Sequence, residues 1–207
     1  TAADILSGIE WYDRAKREAN AISQDLGLPV STIVGVMAAL SPNNRWERNK
    51  VDAFNMCSAY VNCLTVDDFR VSTYSAMKRK AWSILEDHLT DDDDILDRLN
   101  GQKIRSFYSN IMGLDEVTVD GHALNIARAV RAGLTSNETN IGRGLYRELQ
   151  AAYVRAAARA GATSAICHWR APSSVNACST VGMERVSVAP VGGFQQTRPL
   201  VNDAGNG

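Results

Sequence analysis

The chain has 207 residues, of which 45% are hydrophobic and 22% are charged, and its formal net charge is −1. This length can bury the core of one or two small domains, and the composition excludes the fibrous and the wholly disordered classes. The near-zero net charge argues against a basic protein that coats nucleic acid, although it is compatible with a local basic face. No apolar run reaches the roughly 18 residues that span a bilayer, and Asp4 and Glu10 predict that no secretory signal is present. These features predict a cytoplasmic protein without a membrane partner.

The four cysteines have spacings that match no CxxC pair and no zinc or iron–sulfur pattern. They are Cys57, Cys63, Cys167 and Cys178. We expect these residues to be buried thiols, kept reduced in a cytoplasmic environment. The cysteines therefore give no indication of a metal site.

Apolar residues recur at helical spacing along most of the chain, which predicts an all-α fold. Residues 31–40 are apolar on almost every side, so we expect a buried central helix there rather than a strand. The acidic run Asp91–Asp94 precedes a short apolar pattern, where it would complement a helix dipole. The predicted helices cover about residues 5–26, 31–40, 45–63, 73–88, 95–99, 103–112, 120–132 and 144–160. Residues 173–207 are rich in Ser, Gly, Asn, Pro and Val, which favours an irregular or partly disordered tail after a helical domain over residues 1–172.

The first segment that could carry chemistry is Leu40–Trp46, in which the buried helix leads into a polar loop. The amides of Asn43 and Asn44 can hydrogen-bond base edges. Arg45 can bind a phosphate, and Trp46 can stack on a base. The alternative is a structural loop, in which an asparagine caps the next helix and the indole packs in the core.

The second segment is a glycine turn between two predicted helices, with the sequence LNGQK over residues 99–103. Gly101 and Gln102 lie where backbone N–H groups at a helix N-terminus can bind a DNA phosphate. Lys103 lies in the first turn of that helix, where a partly buried amine can act as a nucleophile. The alternative is an ordinary joint between helices that carries a surface lysine.

The third segment is VTVDGHA, in which a short extended stretch at Thr118-Val119 leads to Asp120. This carboxylate could cap the following helix and also face a cavity, although a simple cap is the alternative. Lys103 and Asp120 are 17 residues apart, one helix out and a short return, so both can reach one cleft. His122 could be a second acid or base, or a structural residue of the turn.

Taken in this order and spacing, the three segments resemble the helix-hairpin-helix DNA glycosylase superfamily, which includes endonuclease III, the adenine glycosylase and 8-oxoguanine glycosylase. LSPNNRWERNK is similar to an LSxQ stretch with a following Asn-Lys pair, LNGQK to a shortened LPGVGxK hairpin, and TVDGHALNIA to the VDTHVxRxA segment. The resemblance covers about residues 30–132. It implies a two-lobed helical bundle of the helix-hairpin-helix glycosylase type, with the hairpin at about residues 95–112.

The resemblance also implies an enzyme that turns one nucleotide out of double-stranded DNA carrying a modified or damaged base. Asp120 would be the catalytic carboxylate, and Lys103 would be the Schiff-base nucleophile of a glycosylase with lyase activity. Asn43 or Asn44 would fill the gap that the flipped base leaves. Further phosphate contacts would come from Arg45, Lys80 and Arg105. Trp46 could line the base pocket, whereas we expect Trp82 to pack in the core.

This sequence departs from the family pattern in three places. The hairpin lacks a glycine and the proline of the signature, and Asn125 stands near the position of the family's arginine. The cysteines that hold the cluster of endonuclease III are missing. The resemblance therefore implies no iron–sulfur centre, and we expect no cofactor.

Two other functions remain open at the level of sequence. Phage relatives on the same fold, the α-glutamyl/putrescinyl thymine pyrophosphorylases or amino acid:DNA transferases, resemble this chain in compact size, short hairpin and SPNNRW loop. This resemblance implies an enzyme of thymine hypermodification in the host cytoplasm, with a free amino acid or amine as co-substrate. The second alternative is a DNA-binding helix-hairpin-helix module without catalysis.

Overall fold

The computed structural model describes residues 10–114, 116–130 and 141–160 of the chain. These residues form eight α-helices and one short 3₁₀ turn, and none of them lies in a β-strand. The predicted all-α class is therefore confirmed for this part of the chain. The helices are α1 (Trp11–Leu26), α2 (Val30–Leu40), α3 (Trp46–Val61), α4 (Ser75–Glu86), α5 (Asp92–Leu99), α6 (Gln102–Met112), α7 (Gly121–Arg128) and α8 (Arg143–Ala160), with the 3₁₀ turn Val66–Asp68 between α3 and α4.

Helix α2 is the centre of the bundle. Every residue from Ser31 to Leu40 is buried, and α2 packs against α1, α3, α4, α5 and α6. A Cβ atom on Gly35 would lie 2.9 Å from the Cγ2 atom of Ile95, so the missing side chain is what lets α5 approach α2 closely. The prediction of a buried central helix at 31–40 is confirmed, because a helix that is apolar all round is stable only when other elements cover every side.

The helix boundaries follow local signals in most places. Gly27 ends α1 in the left-handed conformation, with φ of 68°. Asp91 caps α5 by accepting a hydrogen bond from the Asp93 backbone nitrogen at 2.9 Å, as the acidic run predicts. The predicted extension of α7 to about residue 132 is wrong. Ala129 ends α7 early because it adopts φ of 53°, and its N–H donates to the Ile126 carbonyl.

The apolar side chains form two clusters. The larger cluster joins α1 to α6 around α2. The smaller cluster joins the non-helical segment 117–119 to α7 and α8, and its members are Val117, Val119, Ala123, Leu124, Tyr146, Leu149 and Tyr153. Ile104 on α6 belongs to the larger cluster and Val119 belongs to the smaller one, so the two ends of the candidate site described below adjoin different clusters.

The two cysteines within the described residues differ in environment. Cys57 is buried in the larger cluster as predicted, and burial raises the pKa of its thiol to about 12. The same prediction is wrong for Cys63, which is exposed. Helix α3 ends at Val61, so Cys63 falls in the turn after the helix, where its φ is 57°.

No single helix among the described residues is long and apolar enough to cross a membrane. Helices α1 and α2 meet that criterion only as a joined pair, and they are bent by 119° at their junction. The predicted domain end at residue 172 and the predicted tail at 173–207 lie outside the described residues.

Candidate active site

Lys103 and Asp120 come together at the surface where α6 and α7 begin. The Nζ atom of Lys103 lies 3.7 Å from the Oδ2 atom of Asp120. The lysine side chain is 49% exposed and the aspartate side chain is 21% exposed, so solvent and a ligand can reach both groups. The structure therefore brings the amine and the carboxylate of two separate sequence segments to one place.

The two carboxylate oxygens of Asp120 have different partners. Oδ1 accepts hydrogen bonds from the backbone nitrogens of His122 and Ala123, each at 3.0 Å, and so caps α7. Oδ2 is the atom that faces Lys103. Because the cap fixes the carboxylate plane, the second oxygen is held in one orientation towards the amine. The cap and the site-facing carboxylate are thus parts of one side chain rather than alternatives.

Buried hydrogen bonds hold the segment that delivers Asp120. The hydroxyl of Thr118 accepts from Asn110 Nδ2 at 3.1 Å and from the phenol of Tyr12 at 3.4 Å. The N–H of Val119, next to Asp120, donates to the phenol oxygen of Tyr146 at 3.1 Å. Side chains from α1, α6 and α8 therefore fix the backbone immediately before the candidate carboxylate.

One face of α6 carries both the candidate amine and these supports. Lys103, Ser106 and Asn110 follow each other at helical spacing, so their side chains lie along one side of the helix. The Ser106 hydroxyl oxygen accepts from the phenol of Tyr146 at 3.3 Å and from Gln150 Nε2 at 3.4 Å. This face of α6 thus connects the amine end of the site with α8.

The two tyrosines of this support remain hydrogen-bond donors at neutral pH. Burial raises the pKa of Tyr12 and of Tyr146, and the negative charge of Asp120 acts in the same direction. Because both phenols stay protonated, Tyr12 continues to donate to Thr118 and Tyr146 to Ser106.

The turn between α5 and α6 is closed from within the protein. Asn100 takes the left-handed conformation, with φ of 45°, that a glycine often supplies after a helix. Lys80 Nζ donates to the Leu99 carbonyl, and Arg105 Nη1 donates to the Leu96 carbonyl. Both cations therefore bind carbonyls at the C-terminal end of α5, where positive charge complements the helix dipole. Burial lowers the pKa of Lys80.

The predicted phosphate contacts thus divide into two groups. Lys80 and Arg105 each donate a hydrogen bond to a carbonyl of α5, so part of their hydrogen-bonding groups is used within the protein. Arg45, in contrast, is exposed. Gly101 precedes α6 with no side chain to cap it, and Gln102 is the first residue of that helix. His122 is exposed in the first turn of α7.

The two asparagines of the SPNNRW loop point in different directions. Asn43 is exposed and adopts φ of 53° at the turn. Asn44 donates through Nδ2 to the Leu40 carbonyl at 3.3 Å and to Asp52 Oδ2 at 3.1 Å. Asn44 therefore holds the loop, and Asn43 is the one of the two candidates that faces outwards.

Trp46 and Trp82 have different surroundings. Trp82 is only 9% exposed and packs in the larger cluster against Phe69 and Tyr60, as expected for a core residue. Trp46 is half-buried and lies beside Phe107, with ring centroids 6.3 Å apart. Phe107 is one turn after Lys103 on α6, so this contact joins the start of α3 to the turn of α6 that follows the candidate amine.

Sequence reasoning did not find the residues that support the Asp120 segment. They are Tyr12, Ser106, Asn110, Thr118, Tyr146 and Gln150. The available signal was the polar spacing on α6, where Ser106 and Asn110 share a face with the exposed Lys103 although these two polar side chains are themselves buried. Their partners on α1 and α8 are distant in the chain, and no local pattern identifies them.

Within the described ranges, no group of three or more His, Cys, Asp or Glu side chains could hold a metal ion. Two of the shallow surface depressions there contain charged side chains. One, of about 410 Å³, lies beside the α5–α6 turn and is lined by Lys80, Leu89, Asp94, Asp97, Arg98 and Asn100. The other, of about 310 Å³, lies between α1 and α3 and is lined by Glu18, Ala21, Ile22, Lys50, Val51 and Phe54. Lys103 and Asp120 line neither depression.

Comparison with protein families identifies one matching family model. The model described as "Family of unknown function (DUF7178)" matches residues 1–183. The match covers most of the chain, so the protein belongs to this family. Neither a comparison with curated proteins nor one with solved structures found a match.

Proposed function

We propose that this protein is a DNA base-processing enzyme that turns a nucleotide out of the duplex, and in its simplest form a base-excision glycosylase with lyase activity. The observation that carries the proposal is the 3.7 Å approach of Lys103 Nζ to Asp120 Oδ2. The sequence resemblance assigns a nucleophile and a carboxylate to these two positions independently of the structure. Their juxtaposition on an accessible surface is what such a reaction needs.

Asp120 has two tasks in this mechanism. Its Oδ2 atom would stabilise the positive charge that develops on the sugar as the glycosidic bond weakens. Before the attack it can also pass the proton that Lys103 must lose on to solvent, so that the carboxylate is ionised again when the positive charge develops. The cap through Oδ1 holds the carboxylate in place during both steps.

Lys103 would act as the nucleophile. The neutral amine forms a bond from Nζ to C1′ of the sugar, and the bond between C1′ and the base breaks, its electron pair leaving with the base. The departing base takes up a proton from solvent. The bond between C1′ and O4′ of the sugar then breaks, Nζ loses a proton while O4′ gains one, and a Schiff base between Nζ and C1′ results. Loss of a proton from C2′ to solvent then breaks the bond between C3′ and its oxygen, and this β-elimination releases the 3′ phosphate and cuts the strand.

Residues around this pair suit contacts to the duplex. Arg45 and Asn43 are exposed on one loop, where the guanidinium can bind a phosphate and the amide can occupy the gap left by the extruded base. The N-terminus of α6 after Gly101 presents backbone N–H groups that can bind another phosphate. His122 lies near Asp120 at the start of α7 and can contact the sugar-phosphate backbone of the DNA strand that carries the extruded base.

The test is incubation of the protein with a panel of duplexes that each carry one damaged or modified base, followed by mass spectrometry of the products. Borohydride should trap a covalent adduct between Lys103 and DNA. Lys103→Ala should abolish that adduct and Asp120→Asn should suppress base release, whereas Arg17→Ala, which changes an exposed cation on α1, should leave both intact.

If Lys103→Ala retained base release, the nucleophile role would be wrong, and a monofunctional glycosylase would remain. If Asp120→Asn left every function unchanged and DNA affinity were the only measurable property, the protein would be a binding module without catalysis.

A second candidate is the transferase of thymine hypermodification, and one observation favours it. The depression of about 410 Å³ beside the α5–α6 turn is lined by carboxylates and by cations. Groups of both signs suit a free amino acid, which carries an ammonium and a carboxylate. Neither Lys103 nor Asp120 lines this depression, so the amino acid would be held beside the pair and its amine would have to extend to the thymine at Asp120. Asp120 would then deprotonate the amine that attacks the 5-methylene carbon, and Lys103 would stabilise the departing pyrophosphate.

The two enzymes give different products. The transferase should release pyrophosphate from DNA that contains pyrophosphorylated 5-hydroxymethyluracil, and only when an amino acid or amine is supplied. A glycosylase should release a free base without an amine. Release of neither product from any duplex in the panel would exclude both.

A further inference from the structure

Three aromatic rings meet at the surface where α1, α3 and α6 come together. The ring centroids of Trp11 and Trp46 are 4.9 Å apart, and those of Trp11 and Phe107 are 5.7 Å apart. Trp46 and Phe107 complete the triangle at 6.3 Å. All three side chains are only partly buried. We name this group, Trp11, Trp46 and Phe107, the aromatic triad.

Each part of the candidate site is linked to the aromatic triad through neighbouring residues. Phe107 follows Lys103 by four residues on α6, so the two side chains are neighbours on one helix face. Trp46 begins α3 directly after the loop of Asn43 and Arg45. Tyr12, beside Trp11 in the chain, has its ring 6.2 Å from that of Phe107 and donates to Thr118 in the segment that delivers Asp120.

Partly buried rings occur in both aromatic groups, since Tyr60 and Phe69 beside Trp82 are half-buried as the triad is. The groups differ in their centre, because Trp82 itself is buried whereas every member of the triad keeps partial exposure. One further contact is cationic, since Lys50 Nζ lies 5.9 Å from the Trp46 ring while it pairs with Glu18 and Glu47.

We propose that the aromatic triad is the binding site for the extruded nucleobase, on which the base stacks while its sugar faces Lys103 and Asp120. Every nucleobase has a π-face, and stacking on aromatic side chains is a general way of binding unpaired bases. The resemblance assigns only Trp46 to the base. Trp11 and Phe107 are assigned by the ring contacts. The inference rests on the proposed function and names the part of the site that holds the substrate.

The test uses protein labelled with 5-fluorotryptophan and two short duplexes, one fully paired and one with a central thymine–thymine mismatch. A mismatched base costs less to extrude than a paired one. In fluorine NMR, the Trp11 and Trp46 resonances should shift more with the mismatched duplex than with the paired one, and the Trp82 resonance should stay in place as an internal control.

Binding measurements with variants complete the test. Trp46→Leu and Phe107→Leu should each weaken the preference for the mismatched duplex by about five- to tenfold, as expected for loss of one stacking partner. Trp46→Phe should restore most of it. Phe54→Leu alters a partly exposed aromatic outside the triad and should have no effect. Thermal unfolding of each variant shows whether a leucine variant loses its preference for the mismatched duplex only because it is unfolded. In that case Trp46→Phe, which keeps an aromatic ring, shows whether the ring itself supports the preference.

The outcomes separate the two proposals. Equal shifts with both duplexes, or an unchanged preference in the leucine variants, would overturn the aromatic triad as the base site. If Asp120 still proved essential for base release in that case, the proposed function would stand without it. If the mismatch-specific shifts appeared although no base was released from any duplex, the triad would stand as a base-binding site and the excision chemistry would be wrong.

Discussion

The phenol oxygen of Tyr146 accepts a hydrogen bond from the backbone N–H of Val119 at 3.1 Å, although the two residues are 27 positions apart in the chain. Val119 directly precedes Asp120, and it is almost completely buried. A side chain of α8 therefore sets the position of the backbone that carries the candidate carboxylate. On the proposed function, this contact gives Tyr146 the role of a positioning residue for Asp120 rather than a catalytic one.

Tyr146→Phe tests that role. The change leaves a buried N–H without its acceptor, which should cost about 1–3 kcal/mol of the free energy of unfolding. If the duplex panel identifies a substrate, as the proposed function expects, its turnover should fall by about tenfold or more, because small displacements of a reacting group are costly. DNA affinity should change little. Urea denaturation, turnover and binding are measured on the same preparation.

Tyr153→Phe provides the matched control for this experiment. Tyr153 also lies on α8, and its phenol donates to the Ala123 carbonyl at 3.0 Å, a bond to α7 rather than to the segment before Asp120. We expect a comparable loss of stability and a much smaller loss of turnover. Equal losses of turnover in the two variants would contradict a positioning role specific to Tyr146.

The loop that exposes Asn43 depends on the buried carboxylate of Asp52. Its Oδ2 accepts from the Asn44 amide at 3.1 Å and from the Ser72 N–H at 2.8 Å, and its Oδ1 lies 3.2 Å from Arg48 Nε. Asp52→Ala should lower the free energy of unfolding by about 1–3 kcal/mol, since two donors lose a buried acceptor. Asp52→Asn, which can still accept from Ser72, should lose less. Urea denaturation compares the two, and the same loss in both would count against a specific hydrogen-bonding role.

Gly35 is expected to be sensitive to the smallest possible enlargement. In Gly35→Ala, the new methyl group would lie 2.9 Å from Ile95 and 3.3 Å from Ile84, and overpacking of this kind typically costs about 1–3 kcal/mol. Gly144→Ala is the control, because a Cβ there meets nothing within 4 Å, and alanine should stabilise α8 by about 0.5–1 kcal/mol. Thermal unfolding should give shifts of opposite sign.

The Cys57 thiol should be unreactive in the native protein. Burial raises its pKa from 9.0 to about 12, so the reactive thiolate is scarce at pH 8. Iodoacetamide followed by peptide mapping should label Cys63 readily and Cys57 only after unfolding. Rapid labelling of Cys57 in the folded state would show that its burial is wrong.

The same shift predicts a pH dependence of stability. Below pH 9 the Cys57 thiol is neutral in both the folded and the unfolded chain, so its burial costs nothing in ionisation. As the pH rises from 9 towards 12, the unfolded chain ionises this thiol while the folded chain does not, and the free energy of unfolding falls. Cys57→Ala, at a lower starting stability, should show a shallower fall over that interval.

Sequence patterns predicted the elements whose ends and faces are set locally. Gly27 and Asp91 mark their helix boundaries through backbone conformation and capping, and the uniformly apolar stretch that contains Gly35 predicted the buried α2. The length of α7 was not predicted, because Ala129 gives no chemical sign of the left-handed conformation that it adopts.

The candidate site was predicted at its two chemical ends and not in between. Lys103 and Asp120 belong to motifs that can be read from the sequence, and their separation is compatible with one helix and a return. The supports of that pair, such as Tyr12 and Tyr146, come from helices at opposite ends of the described chain. Their contacts arise from tertiary packing, which leaves no periodic trace in the sequence. Tertiary packing also separates Asn43 from Asn44, which look alike in the sequence. Asn44 donates to the buried carboxylate of Asp52, whereas Asn43 is exposed.

The two oxygen atoms of Asp120 have separate roles, since Oδ1 caps α7 and Oδ2 faces Lys103. Substitutions at this position can therefore affect the two roles differently. An asparagine keeps a capping oxygen at the start of α7 but carries no negative charge, and a serine can cap but does not reach as far as the amine. Substitutions at this one position can therefore uncouple scaffold from reactivity. A related protein with asparagine at this position, in which one carboxylate oxygen is replaced by an amide nitrogen, would lose the reaction and keep the fold.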